Sequence, residues 1–447
     1  MDKPLHTLSL VETFKGIASR RFTSEQVTRA LLTRIASLDE AILAWAWLDP
    51  EAAVKAAGLS DRHLQSGGAS GPLQGLPLGI KDIFATAGIL TEMGSPAFAG
   101  HIPARSARVV ERLEAQGAFV MGKTVTTECA FLHPGKTRNP WNPAHTPGGS
   151  SSGSAAAVAA GFVPAALGTQ TNGSVIMPAA YCGVVGFKPT QGLIPIEGAL
   201  TFSHTLDQPG LFTRCVEDAA WLAAALSGGE AKSSPTIPER SAPPRLAAVK
   251  SPVWDQAGDD AKQSFRENIQ MLRREGADIE EVELPEAFGH AHRAIRTLMS
   301  VESAFNLEDL FANKAHQLSA TLRDFMAEGQ EVKAPLYLQA LKLRSALQEE
   351  LERFLAEYDG IVSPPTTGEA PATLGQTGSP VFCSIWSLCG VPAITIPVGF
   401  GPRGLPLGLQ IVGRRGEDVQ LLSVARWCEM HFPFPPWREK RDKESSS

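Results

Sequence analysis

The chain has 447 residues, and 41 Lys and Arg against 47 Asp and Glu give a formal net charge of −6. An acidic balance without a basic block argues against nucleic acid as a partner, and no segment reaches the ~20 mostly apolar residues that a membrane span needs. Six cysteines without CxxC spacing indicate neither a disulfide framework nor a zinc site. We therefore expect a cytoplasmic protein without a metal or another cofactor.

Charged residues are unevenly distributed along the chain. They make up 20% of it, yet none lies in residues 139–187 or in residues 370–402. At the average frequency the first of these tracts alone would carry about ten charges. Both uncharged tracts therefore need a structural or chemical explanation.

The N-terminal third alternates helical and strand patterns. Thr23, with a glutamine three residues later, has the pattern of a capping box, and Asp49-Pro50 has that of a helix start. A short apolar run that ends at Lys81 predicts a strand. A helix over 107–117 and a strand over 118–122 follow.

The rest of the chain continues this alternation. A proline-rich segment, 229–244, predicts a linker, and the charged helices after it predict a peripheral layer. The predicted helices lie at 154–160, 216–226, 261–275, 290–310, 334–357 and 418–430, and the predicted strands at 162–167, 360–362, 393–398 and 405–412. The alternation predicts an α/β fold with a helix-covered sheet.

Two short patterns suggest chemistry that their surroundings do not favour. Residues 149–153 match G-x-S-x-G, but the proline-containing segment before them cannot be the strand that a nucleophile elbow requires. His290 and His292 are spaced like metal ligands, but no HExxH or carboxylate spacing accompanies them. A polar helix start is the favoured interpretation of the two histidines.

Two small, polar, glycine-rich segments lie in the first uncharged tract. Residues 148–154 precede a predicted helix, and residues 171–174 follow an apolar segment. Such loops expose backbone N–H groups, which suit an anion or an oxyanion. A phosphate site is the alternative, but the lysine and the spacing of a P-loop are missing.

Several motifs, in order, resemble those of the amidase signature family. They are GLPLGIKD (75–82), GKTVTTECAF (122–131), RNPWNPAHTPGG (138–149), GGSSSGSAAAVAAG (148–161), GTQTNGSVIMPAAYCGVVGFKPT (168–190), YDGIVSPP (358–365), CGVPAITIPVGF (389–400) and GLPLGLQIVG (404–413). The resemblance therefore covers nearly the whole chain.

The resemblance implies the amidase signature fold, a central mixed, twisted β-sheet covered by helices on both faces. It implies a single domain over residues 1–447, with a core at about 70–228 and 358–432. The region at about 245–357 would be a helical lid, with residues 287–340 covering the site. Residues 438–447 would form a polar tail.

The resemblance also implies a catalytic triad of Lys81, Ser150 and Ser174. Ser174 would be the nucleophile, and Ser150, after a cis peptide bond with Gly149, would relay its proton to Lys81. Burial among apolar residues disfavours an ammonium, so Lys81 can serve as a neutral base. Asp82 would oppose this, so we expect its side chain to point away from the site.

The remaining roles implied by the resemblance are an oxyanion hole and substrate contacts. The backbone N–H groups of Thr171, Asn172, Gly173 and Ser174 would bind the oxyanion. The predicted substrate contacts are apolar or neutral side chains. They are Ala130, Phe131, Gln170, Met177, Cys383 and Trp386.

The sequence departs from the family pattern around the nucleophile. Gln170 stands where aspartate is common, Asn172 where glycine is common, and Ile176 and Met177 where related sequences carry an arginine. In family members that act on carboxylate-bearing amides, such an arginine can pair with the acid. Its absence favours a neutral substrate.

These observations favour an amidohydrolase that acts on neutral linear amides, with esters and carbamates (urethanes) as further candidate substrates. We expect a monomer or homodimer whose partner is a small-molecule amide or carbamate, without nucleic acid or membrane. One alternative is the glutaminase subunit of a tRNA-dependent amidotransferase, which releases ammonia from glutamine for a partner protein. The other is a non-catalytic binding protein on a decayed amidase fold.

Overall fold

The structure, a computed structural model, describes residues 3–228, 237–240 and 242–435. The predicted polar tail, 438–447, lies outside the described residues, as does most of the predicted linker. Within the described residues the strands form one eleven-stranded sheet. They are β1 (Trp45–Leu48), β2 (Pro77–Lys81), β3 (Phe119–Thr124), β4 (Ala165–Gln170), β5 (Val185–Lys188), β6 (Gln208–Thr213), β7 (Arg245–Lys250), β8 (Asp278–Glu283), β9 (Gly360–Ser363), β10 (Ala393–Phe400) and β11 (Pro406–Val412).

The α-helices of the described residues flank this sheet. They are α1 (Leu10–Ala18), α2 (Ser24–Ile42), α3 (Pro50–Gln65), α4 (Arg108–Ala115), α5 (Ser152–Ala159), α6 (Ile176–Cys182), α7 (Val216–Leu226), α8 (Asp259–Arg274), α9 (Ala291–Asn306), α10 (Glu308–Lys314), α11 (Ala320–Glu331), α12 (Ala334–Leu355), α13 (Ser384–Cys389) and α14 (Asp418–Glu429). No helix within the described ranges is both long and apolar enough to cross a membrane.

The sheet is mixed, with the strand order β1-β3-β2-β4-β6-β5-β10-β11-β9-β7-β8. The strand β2 pairs in parallel with β3 and β4, and β7 pairs in parallel with β8 and β9, whereas the other pairs are antiparallel. Successive residues of a strand face opposite sides. Leu167 of β4 accordingly packs in a cluster with α4, α7 and α14, and Ala166 packs in another with α2 and α5. The predicted mixed sheet with helices on both faces is confirmed.

Local capping signals were reliable in the N-terminal part. Thr23 and Gln26 form both hydrogen bonds of the predicted capping box at the start of α2. The carboxylate of Asp49 accepts the backbone N–H groups of Glu51 and Ala52, and Pro50 is the first residue of α3. Both predicted helix starts are confirmed because each depends only on neighbouring residues.

The prediction of an entirely helical region over 245–357 is wrong. The strands β7 and β8 lie in this region and extend one edge of the sheet. The outermost strand, β8, has the sequence DIEEVE and buries only Ile279. Its charged character hides a strand that pairs on one side alone.

The helices of this region cover the end of the sheet that carries the motif residues. Leu322, Phe325 and Met326 of α11 form one apolar cluster with Phe131 and Phe202. The rings of Phe131 and Phe325 lie 4.5 Å apart, and those of Phe131 and Phe202 lie 5.2 Å apart. The helices α9 to α11 thus form a layer over the motif segments.

Candidate active site

Lys81 and Thr169 meet at the carboxyl end of two parallel strands. Lys81 is the last residue of β2, and the register that pairs Ile80 with Leu167 brings its side chain beside the end of β4. The Nζ atom of Lys81 lies 2.7 Å from Ser150 Oγ and 2.7 Å from Thr169 Oγ1. The lysine is fully buried, so its amine contacts hydroxyl groups rather than water.

The surroundings of Lys81 favour the neutral amine. Burial lowers the pKa of Lys81 well below its ordinary value, and the negative charge of Asp207 opposes this shift. Asp82 points away from Lys81, as expected. Its carboxylate lies 3.1 Å from Lys123 Nζ and accepts the backbone N–H of Glu92 at 3.0 Å.

Ser150 lies in a loop whose backbone is tightly packed. The peptide bond between Gly149 and Ser150 is cis, as the resemblance implied. Gly148 has a φ of +84°, and a Cβ atom there would come within 2.7 Å of Pro178 Cα. The carbonyl of Ser150 accepts the backbone N–H of Thr127 at 3.1 Å. The loop therefore holds the Ser150 hydroxyl against Lys81.

The turn of residues 171–174 is held from two sides. The Thr171 hydroxyl donates to Asp207 Oδ1 at 2.5 Å. On the other side, Asn172 Oδ1 accepts from Ser384 Oγ at 2.8 Å, and its carbonyl accepts from the Ser387 hydroxyl. Within the described residues the backbone N–H groups at 172–174 have no acceptor. These amides are therefore free for a ligand.

Gly173 shows why this turn needs a glycine. A Cβ atom there would lie 2.6 Å from Pro380 Cβ and 3.3 Å from Cys383 Cβ. Any larger residue would push the turn away from α13. Ser174, one position further, is half-buried and faces a cavity.

This cavity has a volume of about 420 Å³ and brings Ser150 and Ser174 to one surface. Its lining residues carry no charged side chain. They are Ala130, Phe131, Leu132, Gly149, Ser150, Thr171, Asn172, Gly173, Ser174, Met177, Phe202, Met299, Thr377 and Pro380. A charged ligand group would therefore lose its water without gaining an opposite charge.

Three of the six predicted substrate contacts, Ala130, Phe131 and Met177, line this cavity. The other three lie elsewhere, which corrects their predicted role. Gln170 accepts the backbone N–H groups of Val175 and Ile176 at 2.8 and 3.0 Å and so begins α6. Cys383 and Trp386 are at most 1% exposed and pack in the core with α9 and α12.

Several cavity residues were not predicted from the sequence. Phe202 and Thr377 lie in loops without a motif, and Met299, which we expected in the core, reaches the cavity from α9. Thr169, which contacts Lys81, was also missed although it lies within the GTQT motif. For these residues the only available signals were the motif itself and the expected cover over 287–340.

The remaining candidate features lie apart from this site. A larger cavity, of about 1040 Å³, includes Trp141 and Arg214 in its lining but none of the predicted site residues. His292 contacts the carbonyl of Val381 at 2.9 Å near the start of α9. The described part of the chain has no group of three or more metal-ligating side chains. Ser151, the serine of the G-x-S-x-G pattern, donates to Thr169 O at 3.2 Å.

Comparisons with known proteins agree with this fold. The model of the Amidase family matches residues 26–422. A glutamyl-tRNA(Gln) amidotransferase subunit from Acidothermus cellulolyticus is 34% identical over 475 residues, which cover 94% of each chain. A solved amidase superimposes with a TM-score of 0.86 at 32% identity, covering 95% of this chain and 100% of the other. This chain belongs to the amidase signature family.

A second solved structure has a different activity in its name. Peptide amidase from Stenotrophomonas maltophilia superimposes with a TM-score of 0.83 at 31% identity, covering 97% of this chain and 99% of the other. The curated relative is thus named as an amidotransferase subunit, and the structural relatives as amidases. The first name fits the amidotransferase alternative better than a hydrolase of neutral amides.

Proposed function

We propose that this enzyme hydrolyses neutral carboxamides through an acyl-enzyme on Ser174. The observation that carries the proposal is the buried Lys81, whose Nζ atom lies 2.7 Å from Ser150 Oγ at the wall of an uncharged cavity that Ser174 also lines. A serine hydroxyl needs a base before it can attack a carbonyl. A lysine that burial keeps neutral supplies that base.

The proposed reaction has two halves. Ser174 Oγ attacks the amide carbon, while its proton passes to Ser150 and the proton of Ser150 passes to Lys81. The C–N bond then breaks, and the leaving amine takes a proton back along the same path. Water attacks the resulting ester, gives its proton to the same relay and releases the acid, which regenerates Ser174.

The turn of residues 171–174 would stabilise the tetrahedral intermediate. The free backbone N–H groups of Asn172, Gly173 and Ser174 are the candidate donors to the oxyanion. Loss of one such donor in a serine hydrolase typically costs about 2.7–4 kcal/mol of transition-state stabilisation. This supports a role for the rigid packing of Gly173 against Pro380.

We expect kcat/KM to fall on the acid side of its pH profile through a single titration of Lys81. Protonated Lys81 cannot accept a proton, so activity should drop about tenfold for each pH unit below its pKa. Because burial lowers that pKa, activity should persist near neutral pH. A rate profile from pH 5 to 10 measures this. A profile that stays flat into the acid range would contradict a lysine base.

The substrate we propose has a neutral acyl group. A panel of acylamides, anilides, carbamates and esters, assayed beside glutamine, tests this. Since the cavity lining holds no charge to pair with glutamine's ammonium and carboxylate, we expect kcat/KM for the best neutral amide to exceed that for glutamine at least about 100-fold. Comparable rates with glutamine would overturn the proposal of a neutral substrate.

An amidotransferase component is the second candidate, favoured by the name of the Acidothermus cellulolyticus relative. In that case, glutamine would be the preferred amide, and a partner protein would copurify. The size of the purified protein in solution separates the candidates, because the hydrolase is proposed as a cytoplasmic monomer or homodimer.

A further inference from the structure

One loop, residues 202–207, joins the cavity to the turn beside the nucleophile. Phe202 lines the cavity at the start of the loop, and Asp207 is buried at its end. Asp207 Oδ2 accepts the backbone N–H groups of Phe202 and Ser203 at 2.7 and 2.9 Å. Its other oxygen, Oδ1, accepts the Thr171 hydroxyl at 2.5 Å. A single carboxylate thus fixes both the cavity wall and the turn.

A second buried carboxylate holds the same loop from the side of the covering helices. Glu302 of α9 is 1% exposed and accepts hydrogen bonds from the hydroxyls of Ser203 and Thr205. It also accepts the backbone N–H of Thr205 at 3.1 Å and the hydroxyl of Tyr337, from α12, at 3.0 Å. The loop is therefore anchored to α9 and α12 as well as to the turn.

We propose that Asp207 and Glu302 are positioning residues with separate effects on the reaction. Asp207 holds the turn of residues 171–174 in register and sets the strength of Lys81 as a base. Glu302 fixes Phe202 as the cavity wall and thereby sets which acyl groups fit. This inference rests on the proposed function for its kinetic readouts.

The charges around Lys81 make Asp207 the group that tunes it. Burial lowers the pKa of Lys81, and Asp207 is the anion that raises it. Asp82, next to Lys81 in the chain, is paired with Lys123 instead. Glu302 is separated from Asp207 by Ser203. A base with too low a pKa is a weak base, so the anion keeps Lys81 useful at neutral pH.

Asparagine at position 207 tests the turn and the charge together. Its amide would turn an NH₂ group toward either the Thr171 hydroxyl or the backbone N–H groups of Phe202 and Ser203, so one side of the clamp would open. We expect D207N to lower kcat about 10-fold or more with KM within about twofold. Loss of the anion should also move the acid limb of kcat/KM to lower pH by about one unit.

Thr171→Val separates the hydrogen bond from the charge. It removes the hydroxyl that Asp207 holds but keeps the carboxylate, so kcat should fall as in D207N while the acid limb stays in place. Because T171V alters no charge, it also keeps the test informative if D207N does not fold. A wild-type kcat in T171V would overturn the role of Asp207 in holding the turn, and an unmoved acid limb in a folded D207N would overturn its role in tuning Lys81.

Glu302→Gln tests the cavity wall. We expect an altered ratio of kcat/KM between short and long acylamides, by about fivefold or more, with the acid limb unchanged. Glu328→Gln, at an exposed ion pair on α11, is the matched control and should leave that ratio at the wild-type value. An unchanged ratio in E302Q would overturn the role of Glu302. A wild type inactive on every amide would instead refute the proposed function.

Discussion

Ser174→Ala is expected to lower kcat for a neutral acylamide by about 10⁴-fold or more, because Ser174 Oγ is the proposed atom that forms the acyl-enzyme. The side chain is half-buried at the cavity surface, and no other described residue depends on its hydroxyl for a hydrogen bond. The variant should therefore fold as the wild type does. Steady-state hydrolysis and thermal unfolding measure the two effects.

A matched control and a covalent probe sharpen this test. Ser345→Ala removes an exposed hydroxyl on α12 that donates to Leu341 O at 3.3 Å, and it should keep full activity. A fluorophosphonate should add to wild-type protein at Ser174 and not to Ser174→Ala, as seen by intact mass and peptide mapping. Undiminished turnover in the variant would refute the assignment of the nucleophile. A wild type that the probe never labels would favour the non-catalytic alternative.

The arrangement around Lys81 could be predicted because motifs survive where chemistry restricts residue choice. Lys81 and Ser150 are far apart in the chain yet lie 2.7 Å apart in the structure, as the resemblance implied. The uncharged tract over 139–187 also has a physical account. It forms the loop of Ser150, α5, β4 and α6, and every residue of α5 except Ala159 is buried. Charges there would lose water without gaining partners.

The cavity lining could not be predicted because apolar character indicates burial and not direction. Trp386 and Met177 are both buried apolar residues near the site, yet only Met177 faces the cavity. Gln170 has the polarity of a substrate contact, but its side chain satisfies two backbone N–H groups of α6. Which face a side chain takes depends on packing between segments that are distant in the chain.

Asp207 shows the same limit for a charged residue. It lies just past the first uncharged tract and in no segment to which we assigned a role. Its partner Thr171 belongs to the neighbouring strand connection, and the pairing of β4 with β6 brings the two together. Only the sheet register shows that this carboxylate reaches the turn. Composition had already indicated a low-charge site, and the structure adds the one carboxylate that acts on its lysine.

Lys81→Met is expected to abolish hydrolysis while leaving the protein folded. Loss of a general base typically lowers the rate by about 10²–10⁴-fold. Methionine is unbranched and of similar length, and the amine it replaces contacts only two hydroxyl groups, those of Ser150 and Thr169. We therefore expect the free energy of unfolding to change by no more than about 1 kcal/mol. Denaturant unfolding and steady-state kinetics on the same preparation measure both effects.

Lys123→Met is the matched control, because Lys123 is an equally buried lysine on the adjacent strand β3. Its Nζ atom lies 3.1 Å from Asp82 Oδ1 and donates to Phe84 O at 2.8 Å. Methionine would leave the Asp82 carboxylate buried without its partner, which typically costs about 3–5 kcal/mol. We expect this variant to unfold at lower denaturant concentration and still to hydrolyse amides while folded.

The contrast between these two variants tests what distinguishes the two lysines. A carboxylate in contact makes Lys123 a structural cation, whereas Lys81 contacts only hydroxyls and feels Asp207 from further away. If Lys81→Met lost stability as Lys123→Met should, Lys81 would be a charged structural group and could not be the base. Turnover retained by Lys81→Met would lead to the same conclusion. The proposed mechanism requires that the chemistry be lost at Lys81 and the stability at Lys123.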